Sequence, residues 1–393
     1  MSDRLVPVAE AVAGRPPSEA RAGTAMDRLS SAARRRLERL APDGPDLMGR
    51  EIVEGPAAVD ATLRRLDEER AGMEALLAGA ARIVLVGTGA SLAVAQTAAP
   101  VWQALERANG VRHVRQVVVR ESAASVLGST DGDGFAPDDL VIAISQSGGS
   151  PETLAAVRRG RRAGAGVIGV TAREGSPLAE AATRAVVTPL GEELGAATKS
   201  ELAALAAILG LAGVLPSGDE PRRHVRTALD DAIATWAERV PEAACLAAAR
   251  HVWMLGMGPG TGLAHAAALL WHEKVHRPAV ATSVSQFRHG PIEAAGPRDA
   301  VLLVEPFDPS PGLSLYLDMH RRELGLMRVP LVPVDATADR RSASARSLAL
   351  PIALLVAMLR LQQLARGTAH AAWTYRQGFR VLRAVVHPAP IAD

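Results

Sequence analysis

Nine consecutive residues carry the strongest chemical signal in the chain: Ser145-Gln146-Ser147-Gly148-Gly149-Ser150-Pro151-Glu152-Thr153. They follow an apolar run at 140–144 that reads as a buried strand. Pro151 suits the first turn of a helix, where the N–H it lacks would go unbonded anyway. A strand that ends in small hydroxyl residues and glycines before a helix start is a cradle for phosphate. N–H groups at the helix start point at the anion, and the hydroxyls of Ser145, Ser147 and Ser150 can donate to it. A nucleotide P-loop would need a Gly-Lys-Ser/Thr element, which this segment lacks. A second turn, Gly87-Thr88-Gly89-Ala90-Ser91, closes the apolar run at 82–86. Alone it is a common glycine turn; beside the serine loop it makes Ser91 a second anchor.

The elements that must position these loops follow from the apolar pattern. Runs at 82–86, 114–119, 140–144, 167–171 and 185–188 alternate with helical segments. Short apolar strands between helices imply a parallel sheet covered on both faces. In a flavodoxin-like strand order the first and third strands are neighbours, which brings the glycine turn and the serine loop to the switch-point crevice. After the break Leu215-Pro216-Ser217-Gly218-Asp219 and two helical segments, the pattern restarts at 251–255 and runs into Gly256-Met257-Gly258-Pro259-Gly260. Strand-like runs then follow at 279–283, 300–305 and 329–334. The fold class is therefore α/β, with two tandem doubly wound parallel-sheet domains, 47–217 and 218–393. Residues 1–46, rich in Ala, Arg, Pro and Gly, read as a mobile extension with one helix.

Composition narrows the function. A chain of 393 residues that is 48% hydrophobic supports two substantial cores. The net charge of +2, with basic and acidic residues interspersed, gives no reason to expect a nucleic-acid partner. Arg34-Arg35-Arg36 reads as a solvated face. The lone Cys245 excludes an internal disulfide and a cysteine-rich metal site, and its Ala-rich helical setting suits a small core residue. His265, His272 and His276 have helical spacing but no matching carboxylate set, so neither metal nor cofactor is expected. The longest greasy stretch, 348–359, is too short to span a bilayer and contains Pro351. With no apolar block near Met1 the expected location is cytoplasmic.

Taken with their neighbours, these motifs resemble the sugar isomerase (SIS) superfamily. The segment 144–153 is similar to its signature loop, and Gly87 to Ser91 to its first glycine-serine turn, with Ala90 where a threonine is usual. Glu192 with Ala196-Ala197-Thr198-Lys199-Ser200 resembles the turn-and-helix element that closes the site. Gly256-Met257-Gly258, Glu273 and Phe287-Arg288-His289-Gly290-Pro291 resemble second-domain motifs of the tandem branch that includes the isomerase half of glucosamine-6-phosphate synthase. Glu51 to Pro56 is similar to the entry segment of that half. The resemblance spans 47–385.

It implies that Ser91, Ser145, Gln146, Ser147 and Ser150 hold a sugar phosphate and that Thr198 and Lys199 belong to the closing element. Glu273 would move a proton between C1 and C2 of the opened sugar. His289 would help open the ring, reaching across a homodimer interface. From its neighbours alone Glu273 would read as a surface ion-pair partner, and His289 as a turn residue. Leu270 stands one helical turn before Glu273, where the branch carries a lysine, so the two should share a helix face. Gln286 replaces a common glutamate, and 374–378 offers no counterpart of the branch's C-terminal lysine. The leader of 46 residues is too short for a glutaminase domain, so synthesis of an amino sugar from glutamine is not expected. The expected activity is isomerisation or deamination of a phosphorylated amino sugar or ketosamine. The alternatives are a deglycase and a non-catalytic phosphosugar sensor.

Overall fold

The computed structural model describes residues 46–108, 114–124, 134–194, 196–235, 240–296, 298–304, 327–330 and 343–371. The extension expected over 1–46 therefore lies outside the described residues, except for Asp46. That residue caps the first helix, α1 (Leu47–Gly79), by accepting from the Gly49 N–H at 2.8 Å.

Five parallel strands form the first sheet: β1 (Arg82–Gly87), β2 (Gln116–Glu121), β3 (Asp139–Ile144), β4 (Gly166–Thr171) and β5 (Arg184–Val187). Their order is β2-β1-β3-β4-β5, the flavodoxin-like arrangement expected from the alternation. Its helices are α2 (Ala90–Ala108), α3 (Pro151–Arg162), the short α4 (Pro177–Ala181) and α5 (Lys199–Leu211). All six residues of β3 are buried, as a central strand covered on both faces requires.

Helices α6 (Asp219–Ala234) and α7 (Val240–Ala248) lead to the second sheet. It contains β6 (Val252–Gly256), β7 (Ala279–Ser283), β8 (Ala300–Val304) and β9 (Met327–Pro330), in the order β7-β6-β8-β9. All its pairings are parallel, so the second sheet repeats the first four positions of the first. Helix α8 (Pro259–Leu270) follows β6, and α9 (Val284–Arg288) follows β7. The last strand was expected at 329–334 and begins at Met327 instead; residues 331–334 lie outside the described set.

One apolar cluster runs through both halves, from Met48 and Ile83 to Met254, Leu302 and Leu355. Two features make it continuous. Gly262 of α8 sits so close to α2 that an added Cβ would lie 2.4 Å from the Thr97 nitrogen. Helix α10 (Ala343–Ala371) packs on α1, α5, α6, α7 and α8, and its Arg366 Nε donates to Asp46 at 2.5 Å. This helix corrects the short greasy stretch read from sequence. Residues Leu348–His370 form a span long and apolar enough to cross a membrane, and 83% of its apolar window is buried within the fold. Pro351 lies inside the helix without ending it.

Candidate functional site

The serine loop is held by its own backbone. After β3, the Ser145 N–H donates to Val170 O at 3.0 Å, and the Gly148 N–H closes a turn on Ser145 O at 3.0 Å. Gly148 has φ +63°, and a Cβ there would meet Ser176 Oγ at 2.2 Å, so only glycine fits. The Leu178 N–H donates to Gly148 O at 2.9 Å, tying the loop to α4. Ser145 Oγ and Ser150 Oγ lie 3.1 Å apart, and Ser147 Oγ accepts from the Gly149 N–H at 3.2 Å. Ser150 occupies the N-cap position of α3 but makes no side-chain cap bond, and Pro151 follows it in the first turn. The first N–H groups of α3 thus face the loop, as a phosphate cradle requires.

The glycine turn lies beside this loop because β1 and β3 are paired neighbours. Thr88 Oγ1 donates to Glu121 at 3.1 Å, which anchors the turn to the end of β2. Together the loops wall a narrow cleft whose space, open solvent included, is about 340 Å³. Its polar lining consists of Ser91, Gln146, Thr171, Thr188, Ser200 and Glu201; alanine, valine and isoleucine side chains complete it, and among the described residues no Lys, Arg or His lines it. Ser91 and Gln146 thus meet in one cleft, with Ser145 packed beneath the loop at 4% exposure and Ser147 exposed.

The start of α5 forms the opposite wall. Glu193 accepts from the backbone N–H groups of Thr198 and Ser200 at 3.0 Å each, and from both of their hydroxyls. A carboxylate there satisfies otherwise unbonded N–H groups and complements the helix dipole. The resemblance points to Glu192, but its neighbour Glu193 supplies the capping carboxylate, while Glu192 offers its carbonyl to Lys199 Nζ at 2.8 Å. Lys199 is buried, and its ammonium donates to Glu54 of α1 at 2.5 Å. Thr198 is fully buried as well, so both residues brace the wall rather than line the cleft. Glu51, one turn before, accepts from the Leu194 N–H at 2.5 Å.

Glu201, not singled out from sequence, is the carboxyl group of the cleft. It is 4% exposed, and its Oε1 has no hydrogen-bond partner among the described residues. Its Oε2 receives only a long 3.5 Å bond from Gln362 Nε2 of α10. Burial pushes its pKa up to about 8; the Gln362 bond opposes the rise, and the charges of Glu273 and Glu193 add to it. Glu201 therefore holds a proton at neutral pH.

Glu273 lies on a π-turn, Trp271–Val275, that continues α8. The His276 N–H closes that turn on Trp271 O at 2.9 Å, and His276 adopts φ +55°. π-Turns recur at functional sites, where the extra residue re-aims a side chain. Leu270 ends the α-helical spacing and is core-buried at 3%, whereas Glu273 follows the wider turn and is partly exposed. His289 caps the C-terminus of α9, is exposed, and is not among the described residues that line the cleft. The three spaced histidines separate: His265 Nδ1 meets Gln96 Oε1 at 2.6 Å, and His272 Nε2 meets Ala279 O at 3.0 Å.

A duplicated flavodoxin-like sheet with a serine loop at the first switch point is the architecture of the SIS proteins. Residues 125–212 match the family model described as "SIS domain". The chain thus carries a SIS domain and is a homologue of the glutamine–fructose-6-phosphate aminotransferases. It is 32% identical over 313 residues to the isomerizing enzyme of Aeropyrum pernix, covering 75% of this chain and 48% of the relative. The chain thus spans about half the length of the curated relatives it matches. Among solved structures it superposes on the C-terminal domain of glucosamine-fructose-6-phosphate aminotransferase from Francisella tularensis with a TM-score of 0.68, at 22% identity, covering 86% of this chain and 99% of that one. A glucosamine-6-phosphate deaminase from Thermotoga maritima superposes with a TM-score of 0.62, at 17% identity, over 83% of this chain and 94% of that one.

Proposed function

We propose that this chain is a cytoplasmic enzyme that acts on a phosphorylated amino sugar or ketosamine by isomerisation or deamination. The observation that carries the reading is the serine loop facing the start of α5 across a cleft lined by Ser91, Gln146 and Glu201. The phosphate would sit on the hydroxyls and N–H groups of the loop. Ring opening, assisted by His289, exposes the C1 aldehyde. Glu273 then takes the C2 proton and returns it at C1, which leaves an imine at C2. Water hydrolyses that imine to a ketose phosphate and ammonia. Because His289 is exposed and outside its own cleft, a homodimer in which it serves the partner's cleft completes the site.

A panel of sugar phosphates, assayed for ammonia, substituted amine and ketose, tests this directly. Ammonia with ketose supports the deaminase, and a substituted amine would make the chain a deglycase. Binding without turnover would favour a sensor, a reading to which the core-buried Leu270 lends weight, since it leaves no lysine at that position.

A further inference from the structure

The cleft is unusual for one that must accept a phosphorylated ligand. Among the described residues no cationic side chain lines it, and the nearby ammonium of Lys199 is committed to Glu54 and the Glu192 carbonyl. It contains instead the carboxyl group of Glu201, whose Oε1 is buried without a hydrogen-bond partner among the described residues. A buried polar atom left unpaired costs folding free energy, and such an atom at a ligand cleft is satisfied when a donor arrives. The remaining polar lining among the described residues is hydroxyl and amide, so a ligand that carries its own positive charge is the partner this carboxyl group suits.

We propose that Glu201 recognises the ammonium group of the substrate and makes the cleft selective for an amino sugar phosphate over the neutral sugar phosphate of the same carbon skeleton. The inference rests on the cleft being the sugar-phosphate site. A neutral sugar phosphate brings only negative charge to a wall already carrying carboxyl groups. An amino sugar phosphate brings its own cation, which pairs with Glu201 and leaves the phosphate to the serine loop.

The surroundings of Glu201 fit a group whose charge waits for the ligand. Glu273 on the π-turn and Glu193 in the loop before α5 both disfavour its ionised form. From α10 it meets only the neutral Gln362 amide, and from α2 the cleft wall offers Ser91 and Val94. Without ligand the carboxyl therefore keeps its proton. A bound ammonium supplies the missing counter-charge, lowers the carboxyl's pKa and expels that proton to solvent. The step is balanced: one N⁺–H···O⁻ pair forms, and one proton leaves the complex.

Isothermal calorimetry of the full chain at pH 7, in two buffers of different ionisation enthalpy, measures that proton. The probes are glucosamine 6-phosphate and glucose 6-phosphate, each run on the parent and on Glu201→Gln. For the parent we expect release approaching one proton with the amino sugar, none with glucose 6-phosphate, and a preference for the amino sugar of about tenfold or more. Glu201→Gln should lose both the proton release and the preference while still binding glucose 6-phosphate. Equal affinities with no proton release in the parent would overturn the inference and leave the sugar-phosphate reading intact. So would an amine preference that survives in Glu201→Gln. If neither probe binds the parent, the sugar-phosphate reading falls and this inference with it. The parent's proton release decides the matter even if the variant does not fold.

Discussion

At the scale of single residues, the loop and the two glutamates make separable claims. Ser147 is exposed and its hydroxyl is engaged only with its own loop, so Ser147→Ala should fold normally. It should weaken sugar-phosphate binding by about 1–3 kcal/mol, the range for losing a hydrogen bond to a charged group, as read by calorimetry. Glu273→Gln should lower kcat by roughly 10²-fold with phosphate affinity kept; turnover equal to the parent's would remove Glu273 from the acid/base role. Glu201 also predicts a pH effect on stability. Its folded pKa of about 8 lies above its ordinary value of 4.5. Below pH 4.5 both folded and unfolded states keep the proton, and the contribution is fully present. As pH rises toward 8 only the unfolded state gives the proton up, so stability falls by an amount on the order of a few kcal/mol. Thermal melts from pH 5 to pH 8 should show that decline in the parent and flatten in Glu201→Gln. The serine loop was legible because hydroxyls, glycines and a first-turn proline sit together in sequence. Glu201 was not, because an acidic residue in the first turn of a helix reads as an ordinary response to the helix dipole. Its burial comes from α10, whose Gln362 lies 161 residues further on.

At the scale of elements, the site depends on how helices are started and how closely they approach. Glu193 holds the first turn of α5 through two backbone N–H groups. Glu193→Ala should therefore cost about 1–2 kcal/mol in denaturant unfolding, as for a lost cap. Gly262→Val should cost at least about 2 kcal/mol, because the added Cβ would press on the Thr97 backbone of α2, which cannot yield like a side-chain tip. Most strands could be placed from sequence because strands buried on both faces are continuous apolar runs. The π-turn could not: Trp271-His272-Glu273-Lys274-Val275 has no local signature separating it from α-helix, and its closing bond requires His276 in a left-handed conformation. Similarly, the apolar pattern at 348–359 marked only the middle of α10, because the flanking residues mix polar side chains into a helix that the fold buries anyway.

At the scale of the whole molecule, the proposed dimer makes a prediction that no single chain can satisfy. Mixing inactive Glu273→Gln with inactive His289→Ala should restore part of the activity through hybrid dimers. A monomer by light scattering at working concentration, with full activity, would refute the shared site. The two-sheet layout was legible in sequence, since a glycine turn after an apolar strand occurs in each half; the continuity of the core across both halves was not, because it depends on Gly262 and on α10. That continuity sets a timetable for biosynthesis. Gln362 donates to Thr198 O at 3.0 Å across 164 residues of chain. At ordinary elongation rates of about 5–20 residues per second, the first half must wait on the order of ten seconds or more before the helix that backs its cleft has been made. During that interval the apolar face of α5 has no cover from α10, and a nascent chain stalled in that window should be a preferred client of chaperones. Ligand binding becomes possible only once α10 has been made, so a nascent chain lacking residues 343–371 should retain sugar phosphate poorly.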